Sequence, residues 1–271
     1  MTVTTFPLAG PINLDVRIAH GALTVHAEDG ITEARVELEA ADPTSDILER
    51  TVVQLNGNTL AVATPRRGGV FDLGFFGGAH DRRDSIAITV TVPSGTAMKL
   101  STFTAPISTN GRGGSADVAA GAADIRLDRV DGELRLRVGS GNAEIESVTG
   151  TAQVRTGSGN ARFGEVRGDL TCACGSGGLE VERALGNVRS RSGSGAANLG
   201  AVFGDVDLAS GSGAVSIGLP QGHSAQLQLT TGSGRVESDL PVDDAPVPQA
   251  KRISIRARTG SGDITLFRAA A

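Results

Sequence analysis

The tripeptide Gly-Ser-Gly occurs seven times in this chain, starting at Gly139, Gly157, Gly175, Gly193, Gly211, Gly232 and Gly260. The first five copies stand on a grid of 18 residues, and the last two follow after steps of 21 and 28. A glycine cluster that cradles a phosphate occurs once per site. A regular array is instead the mark of a repeat architecture.

With each first glycine as position zero, residues 139–156, 157–174, 175–192 and 193–210 align as rungs. Residues 121–138 join them with Ala122-Ala123 in place of Ser-Gly. Position 6 is apolar throughout: Leu127, Ile145, Phe163, Val181, Leu199 and Ile217. Positions 9, 13 and 15 are mostly apolar, while 5, 14 and 16 are mostly polar or charged. Such period-two alternation marks short strands with one buried face. A second glycine at position 11 (Gly132, Gly150, Gly168, Gly186, Gly204) divides each rung into two strands with two corners. Glycine serves at a corner either because φ turns positive or because backbones stack closely.

The pattern predicts an all-β, single-chain, β-helix-like solenoid. Each strand pairs with its equivalent in the next rung, about 4.8 Å away. The serines Ser140, Ser158, Ser176, Ser194 and Ser212 are expected to form a hydrogen-bonded ladder near one corner. Arg126, Glu144, Arg162 and Glu180 alternate in sign up the outside, so a register slip would stack like charges. The aromatics are only eight Phe, which suits a narrow interior of small and branched side chains.

The first hundred residues read differently. "INLDVRIAHGALTVHAED" alternates and turns at His20-Gly21-Ala22, Asn56-Gly57 is a strong hairpin signal, and "DPTSDILERT" is briefly helical. The expectation is an antiparallel β region over 1–100 that caps the stack, followed by solenoid repeats over 101–271. Residues 65–84 form a Gly-rich loop. Gly260 to Phe267 is read as the last, partial rung, and the acidic, Pro-rich "PVDDAPVPQA" is read as a cover for its open end.

Bulk properties narrow the function. The net charge of −5 argues against a nucleic-acid partner. No apolar run approaches the roughly 20 residues of a membrane span, so no integral membrane segment is expected. The first residues show no secretory signal, which leaves a cytoplasmic location as the expectation. Cys172 and Cys174, two positions apart on one strand, exclude a disulfide framework and read as buried, inert thiols.

Several patterns in the chain bear on chemistry. Gly157-Ser158-Gly159 lacks the following helix of a dinucleotide fingerprint. Calcium-binding nonapeptides need Asp after the glycines, which only Asp124 and Asp263 supply. Hexapeptide acyltransferases share the 18-residue coil, but stepping by six from Ile145 reaches Thr151 and Gly157. Of His20, His26, His80 and His223, only His223 lies in the array, and it reads as a surface residue. Outward carboxylates of a polysaccharide-cleaving β-helix were considered in two lines. Glu146 and Glu182 are separated by Gly164; Asp169, Asn187 and Asp205 make the better acidic line. Both read as solvated faces. Arg135, Arg137, Arg155, Arg189 and Arg191 form the best candidate surface for an anionic partner. No catalytic, cofactor-binding or metal residue is assigned.

The run "ITVTVPSGTAMKLSTFTAPIS" leads into rungs of the form T-G-S-G-x-(A/V)-x-(I/V/F). Together they resemble the bacterial putative-adhesin, toast-rack-like β-repeat family of unknown function, over roughly residues 10 to 267. The resemblance implies a non-enzymatic β-repeat fold, often encoded beside or fused to envelope-stress membrane domains, with no catalytic residues. A scaffold acting through a protein partner or self-association is therefore expected, with no cofactor. The alternatives are an enzyme acting on a polymeric carbohydrate and a filament-forming solenoid.

Overall fold

The computed structural model describes residues 1–65, 85–240 and 251–269, with the backbone alone at Lys251. The Gly-rich loop apart from Pro65, and the "PVDDAPVPQA" segment, lie outside these residues.

Each 18-residue rung gives one strand to each of two sheets. Sheet A receives β11 (Ile125–Val130), β13 (Ala143–Val148), β15 (Ala161–Val166), β17 (Leu179–Ala184), β19 (Ala197–Val202) and β21 (Val215–Leu219). Sheet B receives β10 (Ala116–Ala122), β12 (Leu134–Ser140), β14 (Ala152–Thr156), β16 (Leu170–Cys174), β18 (Val188–Ser192) and β20 (Val206–Ser210). All neighbours in these stretches are parallel and in register with the repeat, so Ile145 stands beside Phe163 and Phe163 beside Val181. This is the solenoid the spacing predicts. Its interior consists of stacked ladders in which Leu134, Ala152, Leu170, Val188 and Val206 are all buried. One contiguous core cluster runs from Ile12 to Leu266.

The corner glycines serve close approach. Gly168 and Gly186 do not have positive φ; instead, a Cβ on either would strike the carbonyl oxygen of the glycine one rung below. The predicted serine ladder is displaced by two residues. Ser158, Ser176, Ser194 and Ser212 have exposed side chains. The hydroxyls that work are on the residue just before the triplets that start at Gly193, Gly211 and Gly232. Ser192 Oγ accepts the N–H of Gly195 at 2.8 Å, Ser210 Oγ that of Gly213 at 2.9 Å, and Thr231 Oγ1 that of Gly234 at 3.0 Å. Each turns the chain by closing a three-residue loop onto a short polar side chain, a local bond that suits corners over straight strands. Cys174 occupies the same column, between Thr156 and Ser192.

The N-terminal region departs from the antiparallel expectation. β2 (Asn13–Ile18) and β3 (Gly21–Glu28) lie in different sheets, so Gly21 is a corner with φ 122°, and no hairpin forms there. β2 pairs parallel with both β6 (Thr59–Ala63) and β8 (Ala97–Thr102). β3 pairs parallel with β7 (Ile86–Pro93) and β9 (Ile107–Gly113). These strands are solenoid rungs in their own right. Antiparallel pairing is confined to the end, where β1 (Thr2–Pro7) joins β4 (Glu33–Ala40), β4 joins β7, and β5 (Val52–Asn56) joins β6. The β5–β6 turn at Asn56-Gly57 is the expected hairpin, with Gly57 at φ 60°. The predicted short helix is α1 (Ile47–Arg50).

The far end is reordered as well. β24 (Lys251–Thr259) and β25 (Ile264–Arg268) do not finish the stack. They lie between β20–β21 and the rung formed by β22 (His223–Thr231) and β23 (Val236–Ser238). The rung that turns at Gly232 is thus the outer one, and the segment read as terminal is interior. Ile255 and Leu266 are accordingly fully buried, whereas β23 is exposed throughout.

Candidate functional site: the outer face of sheet B

Two corners carry side-chain ladders that complete the backbone. Asp169 Oδ1 accepts the N–H of Asn187 at 2.9 Å, Asn187 Oδ1 that of Asp205 at 2.9 Å, and Asp205 Oδ1 that of Ser254 at 2.8 Å. On the opposite corner Asp124 Oδ1, Asn142 Oδ1 and Asn160 Oδ1 do the same for Asn142, Asn160 and Gly178. The acidic line read from the sequence is therefore structural: each member supplies an acceptor to a corner N–H that no strand ladder reaches. The second pair, Glu146 and Glu182, stays divided by Gly164, and Glu182 is held by Arg162 at 2.9 Å.

The other candidates are also accounted for. His223 packs edge-on against Phe203, with ring centroids 5.4 Å apart, and His20 meets Thr104 at 2.8 Å. His80 lies outside the described residues. Cys172 and Cys174 are buried and unbridged, as expected, but their sulfurs converge to 3.2 Å. The hydrogen bond between them, with burial, pushes the Cys172 thiol up, and the same bond draws the Cys174 thiol down. No group of three His, Cys, Asp or Glu suited to a metal is present among the described residues.

The two outer faces differ in charge. On sheet A the charges compensate one another across rungs: Arg126 with Glu144 at 3.1 Å, Arg162 with Glu180 and Glu182, Arg183 with Glu165. This is the alternating ladder expected from position 5. On sheet B the outermost row runs the length of the stack as Ala63, Arg17, Ser101, Ala119, Arg137, Arg155, Ala173, Arg191, Ala209, Arg258 and Thr230. It contains five arginines and no acid. The row beside it mixes Lys99, Arg135, Arg189 and Arg256 with Asp15, Asp117 and Asp207.

Asp207 is shared. Arg191 grips it through two bonds of 3.1 and 3.0 Å, Arg189 lies 3.6 Å away, and Arg256 is close enough to act on its charge. The Arg191 hydrogen bonds, followed by the nearby guanidinium charges, hold the Asp207 carboxyl below the usual carboxylate range. Three guanidiniums around one carboxylate leave the cluster positive. Arg137 is tied to Asp117 at 3.2 Å and Arg17 to Asp15 at 2.8 Å, while Arg155 and Arg258 have no ion pair among the described residues. A shallow groove of about 420 Å³ lies on the far side of Arg189, Asp207 and Arg256 from the arginine row, with Asp169, Asn187 and Asp205 also in its walls.

Arg135, Arg137, Arg155, Arg189 and Arg191 thus share one face, as the repeat positions require. Arg17, Arg256 and Arg258 join them on this face, although they lie outside the regular 18-residue grid. Counting backwards from each Gly-Ser-Gly finds the last of these: Arg137, Arg155, Arg191 and Arg258 each stand two residues before the first glycine.

The chain is a parallel two-sheet β-solenoid of Gly-Ser-Gly rungs. No helix among its described residues is long and apolar enough to cross a membrane. The Toastrack DUF4097 family matches residues 13–270, and the chain belongs to that family. It is a toast-rack domain. No protein with curated function matches. Among solved structures, a putative adhesin from Parabacteroides merdae is similar with a TM-score of 0.55 and 11% identity, covering 98% of this chain and 95% of that one. A putative adhesin from Bacteroides fragilis shares 16% identity over 98% and 96% of the two chains, with a TM-score of 0.47.

Proposed function

We infer that this protein is a non-enzymatic scaffold that docks an anionic partner on the outer face of sheet B. The observation that carries this reading is the acid-free row on one face, in which Arg17, Arg137, Arg155, Arg191 and Arg258 are spaced by alanine and serine. The enzyme alternative loses its best support when Asp169 and Asp205 are occupied as backbone acceptors. Adhesion, the role named for the similar solved structures, is one that a rigid charged face can serve. Chromatography tests the reading. A chain of net charge −5 with evenly spread charges would pass through a sulfonate cation exchanger at neutral pH. Retention that disappears in Arg155→Ser/Arg191→Ser/Arg258→Ser but survives Arg126→Ser/Arg162→Ser supports it; passage of the wild type refutes it.

A second reading, end-to-end self-association, is favoured by the exposed apolar residues at the stack ends. Val3 on β1 and Val52 on β5 are 46% and 50% exposed at one end, and Val236 on β23 is 46% exposed at the other. Sedimentation velocity over a concentration series distinguishes a fixed mass from a growing one.

A further inference from the structure

We propose that the sheet B face binds a linear anionic polysaccharide, laid along the solenoid axis, that carries a carboxylate on every second sugar. This rests on the anionic-partner reading and adds the chemistry of the partner.

Spacing is the first argument. Arg155, Arg191 and Arg258 are separated in the row by Ala173 and Ala209, one residue at each step. With strands about 4.8 Å apart, these arginines recur at roughly 9.6 Å. That is close to the length of two sugar rings in an extended chain. The intervening alanines end at Cβ, so an uncharged sugar can sit on each of them between two guanidiniums. The guanidinium forks of Arg155 and Arg258, which have no ion pair among the described residues, match a carboxylate in a bidentate way, while Arg191, whose fork is held by Asp207, contributes its charge to the row.

The neighbouring row supplies the second argument. Thr171, Asp207 and Gln228 lie beside Arg189 and Arg256. Sugar hydroxyls both donate and accept, so they can use an ionised carboxylate as well as a guanidinium. A polymer offering only phosphate oxygens has no donor for the Asp207 carboxylate, whereas a sugar hydroxyl has one. Asp207 stays ionised at neutral pH because its arginines hold its proton affinity down.

A third argument comes from what the outward positions of β12–β20 and β24 contain. They bear Arg, Gln, Thr, Ala, Asp and Ser, and no aromatic ring. Single-stranded nucleic acids are held largely by base stacking on such rings, and this face offers none. Recognition must come from charge and hydrogen bonds, arranged in a line. A lipid surface presents charges in two dimensions, whereas only one row here is free of acids.

The test is a titration of the full chain, by calorimetry at low and at physiological salt, with four probes. They are hyaluronan oligosaccharides (one carboxylate per disaccharide), polygalacturonate fragments of equal charge (one per sugar), phosphatidylglycerol vesicles, and oligo-dT. Hyaluronan is expected to bind at least about tenfold more tightly than each of the others. Arg155→Ser/Arg191→Ser/Arg258→Ser should weaken it by about tenfold or more at low salt. The variant Ala173→Arg/Ala209→Arg fills the alanine seats and should shift preference towards polygalacturonate. Equal binding of the two polysaccharides, or an unshifted preference in that variant, overturns the spacing argument. Tighter binding of vesicles or oligo-dT overturns the polysaccharide assignment while the anionic-partner reading stands. Failure of every polyanion at low salt overturns both.

Discussion

Placing a single methyl group at Gly168 probes the geometry on which the whole stack depends. A Cβ there would meet the carbonyl oxygen of Gly150, its carbon at 2.6 Å and the nitrogen of Thr151 at 3.0 Å. All three are backbone atoms, so no side chain can rotate away. Relief requires the corner to open against the flanking bonds, Arg167 N–H to Val148 O at 2.9 Å and Leu170 N–H to Asn187 O at 2.8 Å. Overpacking of this kind costs about 1–3 kcal/mol. Weakening one neighbouring hydrogen bond adds about 1 kcal/mol. Gly168→Ala should therefore destabilise by about 2–4 kcal/mol, and Gly168→Val by more. For a chain of this size each kcal/mol moves the melting temperature by about 2–4 °C, so a fall of roughly 4–16 °C is expected. The assay is thermal unfolding followed by circular dichroism. Gly10→Ala is the control, since nothing lies within 4 Å of its Cβ and its φ is not positive. A Gly168→Ala melt as high as the control's would refute the close-stacking account of the corners.

Further outcomes follow from other contacts. Asp205→Asn should leave the melt almost unchanged, because Asn187 already does the same work one rung earlier, whereas Asp205→Ala should cost about 0.5–1.5 kcal/mol by orphaning the Ser254 N–H. Cys174→Ser should be neutral or stabilising in thermal unfolding, since serine at the equivalent Ser192 and Ser210 bonds the corner N–H. The folded-state pKa of Asp207 is depressed, so its contribution is present above the unfolded carboxylate value and is lost as pH falls through the folded one. Denaturant melts should accordingly show Asp207→Asn less stable than wild type at neutral pH, with the gap closing in acid below the ordinary carboxylate range of about 4.

The middle of the molecule is legible from spacing alone because a parallel solenoid repeats its environment every rung. Leu127, Ile145 and Phe163 share a position in the sequence and a ladder in space. The ends are not legible in this way. β22–β23 and β24–β25 both carry Gly-Ser-Gly corners and similar alternation, so nothing local says which lies outside. The N-terminal strands mislead for a related reason: a glycine turn such as Gly21 reads as a hairpin, while here it is a corner between sheets. The charged face was only partly visible, because a net charge sums over two faces that differ. The working hydroxyls are hidden in the sequence because Ser158 and its equivalents are the more regular, while the column two residues earlier mixes Ser192 and Ser210, which bond the corner, with Cys174 and Thr156, whose Oγ1 has no hydrogen-bond partner among the described residues.

The exchanged order of the outer rungs has a consequence for assembly in time. A solenoid whose spatial order follows its chain order can add each rung as it emerges during synthesis, N-terminal parts first. Here β22–β23 emerges before the rung on which it must rest, and it waits unpaired until β24–β25 has docked on β20–β21. The other end follows the same rule in reverse: β2–β3 emerges early and is enclosed only when β6–β7 and β8–β9 arrive on its two sides. The C-terminal end therefore closes like a clasp, its outer rung unable to seat until a segment later in the chain has been placed beneath it.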